Sequence, residues 1–373
     1  MFHIERLTTS EQLTAVRDDW DRLSDDLPFR AYDWHANWWK HFQTDGAQLY
    51  VLAARDEQDD VVGIAPWFAQ QHSTQGHVLA CLGSGDVCSD YQTILADARC
   101  ADAVAAACAD WLTAAAGDPE HHWDTLLLEA VPACDTTMNS FVGHLWSGGS
   151  KIHREAGPNC WRIELPPTWE EYVATLSKSH RKQVRRIERR QLDSGRAVLH
   201  TTAGEAGLQR GMEILVDLHQ RRRQSLGEPG CFSSDAFAGF LHDTAGHFHQ
   251  AGKLSLAWIE IDGTPAAAEF QLTGGHATYA YQAGLNPDLL EEEPGRIINI
   301  ATIRQAIEQG HQGFDFLRGD EPYKAHWRAT PRETINYRVA SPAALAQVRH
   351  GLWLAGDSMK SWVKTGLELT GMR

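Results

Sequence analysis

Apolar and polar positions change period several times along this chain, and each change marks an element. Ser10 to Leu23 carries apolar residues at helical spacing, and Asp33-Trp34-His35 opens a second helix with Trp38, Trp39 and Phe42 on it. The period then drops to two. LYVLAAR (49–55) and VVGIAPWFA (61–69) read as strands flanking the polar turn DEQDD, with HVLACL (77–82) and YQTILA (91–96) as further strands. An Ala-rich helix over about 99–116 and the apolar strand WDTLLLEAV (123–131) complete this unit. Gly, Ser and Pro then concentrate in SGGSKIHREAGPNC (147–160), which reads as a linker.

Helices are expected at 168–195, 205–226 and 233–249, and the earlier order then returns. LSLAWIEI (254–261) turns at Asp262-Gly263 into AAAEFQLT (266–273), and after Gly274-Gly275 the chain continues as HATYAYQAG (276–284). That is a three-stranded meander. In the helix that follows, Ile297, Ile300, Ile303 and Ile307 recur at helical spacing, with Pro294 suited to the first turn and Gly310 to the C-terminal cap. The strand GFDFL (313–317) comes next, and TINYRVA (334–340) can add another to this half. Both halves therefore run meander, helix, strand. The pattern predicts an α+β chain with domains over 1–150 and 160–341, each a mainly antiparallel mixed sheet flanked by helices. Residues 342–373 follow as an amphipathic C-terminal helix, with Leu352, Trp362, Val363 and Leu367 beside three basic residues. Such a helix packs on the body or rests on an anionic membrane surface.

Composition narrows the functional classes. With 373 residues, 43% hydrophobic and 22% charged, the chain has enough material for two sizeable cores, and disorder is excluded. Seven Cys without a C-x-x-C pair read as reduced, buried thiols in a cytoplasmic protein. No apolar run approaches the ~18 residues a membrane span requires. The formal charge of −15 argues against broad nucleic-acid binding. Two basic islands qualify that. SHRKQVRRIERR (179–190) holds six Arg or Lys against one Glu, and HQRRRQ (219–224) adds three more. They form either a localised anion site, such as one for a phosphorylated cofactor, or two solvated helix faces.

Chemistry concentrates in GFDFLRGDEPYKAHW (313–327). Period two puts Asp315 and Leu317 on one strand face and Phe316 and Arg318 on the other, so Asp315 and Arg318 should not meet unless the strand ends at Leu317. Gly319 permits a tight turn, after which Asp320 can accept a substrate amine and Tyr323 can act as an acid. Arg318, Lys324 and Asp315 would hold a polar acceptor at a cleft mouth, or form an ion-pair network that only fixes the strand end. Glu269 lies in the interior of an apolar strand among small residues, where a carboxylate is costly unless paired or functional. It is either a general base acting through water or an edge residue facing solvent. Tyr279 and Tyr281 share a face, and Tyr281 is an acid or a core residue. Asp90, in the Gly-rich GSGDVCSDYQ, is a candidate acceptor contact. Ser179-His180-Arg181-Lys182 fits S-x-x-K without the rest of a serine acyl-enzyme set, and His242, His247 and His249 lack metal-ligand spacing. No metal is expected.

FRAYDWHANWWKHF, GSGDVCSDY, KSHRKQVRRIERR and above all FDFLRGDEPYKAHW resemble the CelD-like branch of the GNAT acyltransferase superfamily, associated with cellulose and exopolysaccharide biosynthesis and similar to the FemAB transferases. The resemblance covers nearly the whole chain and implies tandem GNAT-like domains, the first of them degenerate. It further implies acetyl-CoA or another acyl-CoA as co-substrate and an amine or hydroxyl acceptor, on a sugar or polysaccharide precursor. Gly295, Arg296 and Ile297 would then hold the pyrophosphate at a helix N-terminus. Tyr281 to Gly284, with Gln282, would run beside the pantetheine arm. The family's Gln/Arg-x-x-Gly-x-Gly/Ala loop is replaced by a stretch with Glu291, Glu292 and Glu293, so Arg296 and the basic helix around 181–190, with Arg181 as its cofactor contact, would have to compensate. Two further readings stay open. The donor is an aminoacyl-tRNA, as in FemAB-like enzymes, or the protein is a non-catalytic accessory in a polysaccharide-synthesis complex.

Overall fold

The computed structural model describes residues 2–202 and 204–356. Pro66 interrupts the apolar run 61–69, because proline has no amide to give to a ladder, and its two pieces join different sheets. Val61–Ala65 pairs with Val51–Arg55 in a four-stranded sheet completed by His3–Leu7 and Leu95–Ala96. Trp67–His72 pairs with Gly76–Cys81 in a six-stranded sheet. Helix Ala101–Ala115 buries Val104, Ala105, Cys108 and Leu112 along one face and connects Gly76–Cys81 to its parallel neighbour Thr125–Pro132. Of YQTILA, only Leu95–Ala96 is strand.

The second half builds a seven-stranded sheet in the order Ala197–Thr201, Leu254–Ile261, Thr264–Gly274, Ala277–Leu285, Gly313–Arg318, Cys160–Glu164, Thr330–Arg332. The expected meander forms its centre, and its Asp262-Gly263 turn has both residues at positive φ, 49° and 79°. Helix Pro294–Glu308 then leads to Gly313–Arg318, which pairs in parallel with the meander's last strand. The architecture is α+β, and each half places a strand, a helix and a parallel neighbour in a mainly antiparallel sheet.

Two elements depart from the expected order. The expected linker contains the strand Lys151–Ala156, and Thr334–Ala340 pairs with it and with Thr125–Pro132, so the late strand returns to the first half's sheet. Its apolar residues Tyr337 and Val339 complete that half's core, which its own chain segment leaves uncovered. The expected helix 168–195 is broken at Leu176-Ser177 into Trp169–Thr175 and Lys178–Ile187, with the Ser177 hydroxyl capping the second piece. Residues 344–356 are helical; Trp362, Val363 and Leu367 lie outside the described residues.

One hydrophobic core crosses between the halves. Trp34, fully buried, stands edge-on to Phe240 at 5.0 Å and to Tyr281 at 5.1 Å. Removing such a ring costs about 3–5 kcal/mol, so the halves are held as one packed body. The thiols depart in part from expectation. All seven are free, but Cys88 and Cys134 are exposed. Among the described residues no helix is long and apolar enough to cross a membrane.

Candidate active site

The last strand of the meander and its parallel neighbour share only three rungs, ending at Tyr279 opposite Asp315. Beyond that rung the strands part, and a cleft of about 710 Å³ opens on one face of the sheet. Its wall includes Glu269, Ala283, Arg296, Asn299, Tyr323 and His180. Pro294 begins the helix at its floor, where proline's missing amide costs nothing.

Glu269 is the buried acid of this cleft, 6% exposed. Small neighbours Ala267 and Ala268 leave room for it, and it stands opposite Ala283 in register. Its Oε2 accepts from the Gln271 amide at 2.7 Å, with the Thr302 hydroxyl at 3.4 Å. Burial outweighs both contacts and pushes its carboxyl up to about 7. A group poised there exchanges a proton readily near neutral pH. Tyr323 begins the short helix Pro322–His326 and is 45% exposed. Burial against the cleft, and the charges of Glu269 and Glu321, push its hydroxyl above the ordinary range. His180 Nδ1 donates to the His326 carbonyl at 2.7 Å, so Nδ1 carries the proton, and burial lowers the ring's basicity.

Two members of the acidic triplet are paired, while Glu291 is exposed. Glu293 sits between Gln183 at 3.0 Å, Arg186 at 2.5 Å and Arg296, while Glu292 meets Gln191 at 2.8 Å and Arg196 at 3.4 Å. The basic helix therefore does compensate, through Arg186 rather than Arg181. Arg181 turns the other way and donates to the Ala174 and Leu176 carbonyls at 2.8 and 3.1 Å, closing the end of the preceding helix. Of the three first-turn residues, Gly295 and Arg296 line the cleft, whereas Ile297 is fully buried beneath it. The amides of Arg296 and Ile297 donate to the Glu293 carbonyl at 2.9 and 3.2 Å.

Asp315 and Arg318 do share a face. A bulge shifts the register between Arg162 opposite Asp315 and Cys160 opposite Arg318, and Leu317 takes φ 58° there. The inserted residue resets the alternation, so both side chains meet the first half's Ser89-Asp90-Tyr91. The Tyr91 hydroxyl donates to Asp315 Oδ2 at 2.5 Å. Arg318 Nε donates to Asp90 Oδ1 at 2.7 Å, and its Nη2 donates to the Ser89 carbonyl at 2.9 Å. Burial pushes Asp315 up to about 6. Lys324, fully buried, donates to the Leu317, Arg318 and Gly319 carbonyls at 3.2, 2.8 and 3.0 Å and so closes the strand end. Asp320 is outside the cleft, accepting from Asn159 and Trp161 at 3.0 Å each. These contacts form the ion-pair network that fixes the strand end.

Tyr281 and Gln282 belong to the other side of the meander. The Tyr281 hydroxyl donates to the Val87 carbonyl at 2.8 Å within the core between the halves, and Gln282 donates toward Cys231. Of the expected catalytic set, then, only Glu269 faces the cleft. Tyr323, the acid expected from the motif, lines the cleft as well, but sequence reading did not group it, His180 and Asn299 with Glu269.

Residues 178–325 match the acetyltransferase (GNAT) domain family. The matched stretch contains both walls of the cleft and its helix, so the chain carries a GNAT-fold acetyltransferase domain. FemX has the same fold over 92% of this chain and 99% of its own, at 11% identity and TM-score 0.64. A conserved protein of unknown function from Bacteroides thetaiotaomicron covers 91% of this chain and 100% of its own, at 13% identity and TM-score 0.54. A tandem GNAT protein from the clavulanic acid biosynthesis pathway covers 92% and 99%, at 12% identity and TM-score 0.47. Identities this low speak for the fold alone. None of the curated proteins matches the sequence.

Proposed function

We propose that this protein transfers an acyl group from an acyl-CoA thioester to an amine or hydroxyl. The observation that carries this reading is a buried carboxyl poised near pH 7 in the wall of a splayed-strand cleft, above the start of a helix. Glu269 takes the proton from the acceptor, directly or through water. Tyr323, kept protonated, gives a proton to the departing sulfur. Arg296 and the helix N-terminus face the phosphate end, where Glu293 is already balanced by Arg186. A bound thioester supplies the activated carbonyl.

The acceptor in this proposal is a sugar or exopolysaccharide precursor in the cytoplasm, a reading supported by the likeness of FRAYDWHANWWKHF and FDFLRGDEPYKAHW to the CelD-like branch. A polysaccharide-synthesis complex or an anionic membrane surface would be met by the 344–356 helix, whose Leu345, Val348 and Leu352 are exposed.

Calorimetric titration with acetyl-CoA, a longer acyl-CoA and free CoA at two salt concentrations tests the donor. The expected result is thioester-sensitive binding that Arg296→Ala weakens about tenfold, the value of one charged contact. Absence of binding to all three would remove acyl-CoA as donor.

An aminoacyl-tRNA donor is the second reading, because Lys182, Arg189 and Arg190 are exposed along one helix. The remaining charges narrow it. Arg221 and Arg223 of the second island are engaged by Asp288 at 2.7 Å and Glu228 at 2.6 Å. Steeply salt-dependent tRNA binding, lost on replacing those three cations, is its signature.

A further inference from the structure

Polar groups in the walls of the cleft mostly hold partners from the protein itself. Gln183 and Arg296 meet Glu293, and Arg328 donates to the Thr175 carbonyl at 2.8 Å. Asn299 is different. It is 7% exposed and lines the cleft, yet among the described residues its side-chain amide meets no donor or acceptor. Buried amides are almost always paired, because one left alone has given up its water for nothing. An unpaired one that opens into a cleft points to a ligand.

Its place on the helix says which part of a ligand it would meet. Helix Pro294–Glu308 carries Arg296, Asn299 and Thr302 at three-residue spacing, so they follow one another along one side. Thr302 is the helix's contact with the buried acid, its hydroxyl 3.4 Å from Glu269 Oε2. Asn299 stands one turn nearer the helix start, about 4.5 Å along the axis. Glu269 receives Gln271 and Thr302 on the same oxygen, which leaves Oε1 without a partner. Tyr323 enters the cleft from its own short helix, near enough for the charge of Glu269 to act on its hydroxyl. A free carboxyl oxygen, a free amide and a phenol therefore share one cleft.

We propose that Asn299 is a catalytic residue whose side-chain N–H donates to the carbonyl oxygen of the bound thioester. The proposal rests on the thioester-donor reading above and completes it, since Glu269 and Tyr323 move protons but neither holds the oxygen on which charge gathers. The acceptor's nitrogen or oxygen bonds to the carbonyl carbon as one electron pair of the C=O bond moves onto oxygen, against the Asn299 N–H. The acceptor's proton passes to Glu269 Oε1. When the carbonyl re-forms, the carbon–sulfur bond breaks and the sulfur takes the Tyr323 proton. The proton held by Glu269 then returns to the tyrosine oxygen through water. An amide fixed on a helix meets the growing charge without reorganising, and having no resting partner it breaks no bond to do so.

The test needs no acceptor. The full chain is titrated with acetyl-CoA and with S-ethyl-CoA, in which a methylene replaces the carbonyl. Wild type is expected to bind acetyl-CoA about fivefold more tightly, the share of one neutral hydrogen bond, and Asn299→Leu to bind the two alike while holding S-ethyl-CoA within about twofold of wild type. The urea midpoint of Asn299→Leu is expected at or above that of wild type, because an apolar group replaces an unpaired amide. Asn299→Ala repeats the comparison with a smaller side chain. Equal binding of the two ligands by wild type overturns the proposal and leaves CoA as donor. A preference that survives in both variants also overturns it, as does an equal loss of both ligands, which would assign the amide to the arm or to the fold. If wild type binds neither ligand, acyl-CoA is removed as donor and the proposal falls with it.

Discussion

Glu269→Gln is expected to lower kcat by about a hundred- to ten-thousandfold, the span of a lost general base, while leaving acyl-CoA affinity within about threefold. Wild-type activity should rise with pH through about 7 as Glu269 loses its proton. The same substitution should stabilise the fold at high pH. Glu269 is raised in the folded state from an ordinary 4.5, so between those values the folded chain binds more protons than the unfolded one, and stability falls as pH rises. At pH 8 the buried charge costs up to about 3 kcal/mol, and Gln removes that cost; at pH 4 the two proteins should be alike. Urea unfolding at both pH values, beside single-turnover rates, measures both effects. A variant that keeps its rate would remove Glu269 from the chemistry, whatever its stability.

Arg318→Ala is expected to destabilise the protein by about 3–5 kcal/mol. The Asp90 side chain is 1% exposed and would lose both the guanidinium at 2.7 Å and the geometry that holds the Arg318 amide at 3.1 Å. An ionised carboxylate left without its cation is costly there, because Asp90 is itself buried. By contrast Arg223→Ala, which breaks a half-exposed pair with Glu228, should cost under about 1 kcal/mol. Denaturant midpoints of the two variants make the comparison. If Arg318→Ala fell in the same range as Arg223→Ala, the seam between the halves would not depend on this pair.

Much of the second half was legible because its signals are local. Asp262-Gly263 and Gly274-Gly275 bracket a strand on their own, and Pro294 with Gly310 delimits a helix whose isoleucines repeat at helical spacing. Glu269 was legible for the same reason, as a charge among AAAEF that an apolar strand does not tolerate without a use. The first half was harder. Its strands are short, and Pro66 divides one apolar run between two sheets, which periodicity alone cannot show.

The candidate site divides along the same line. Sequence reading kept Asp315 and Arg318 apart because it assumed an unbroken period of two, and one residue at φ 58° reversed that conclusion. Arg181 and Arg186 look equivalent in KSHRKQVRRIERR, yet the helix turns one toward carbonyls behind it and the other toward Glu293. Tyr323 and Glu269 are separated by more than a helix and a strand, and no spacing rule joins them.

By itself, then, the sequence determined the order of meander, helix and strand, since each depends on neighbours within a few residues; it left Glu269 between a base and a solvent-facing edge residue, and the strand-end motif between a cleft mouth and an ion-pair network. Tertiary structure decided where the strands part and which charges face the cleft. It also decided that Thr334–Ala340 returns to the first sheet. Those outcomes depend on long-range packing and on a single bulge, and a one-residue change of register turns every following side chain to the other face.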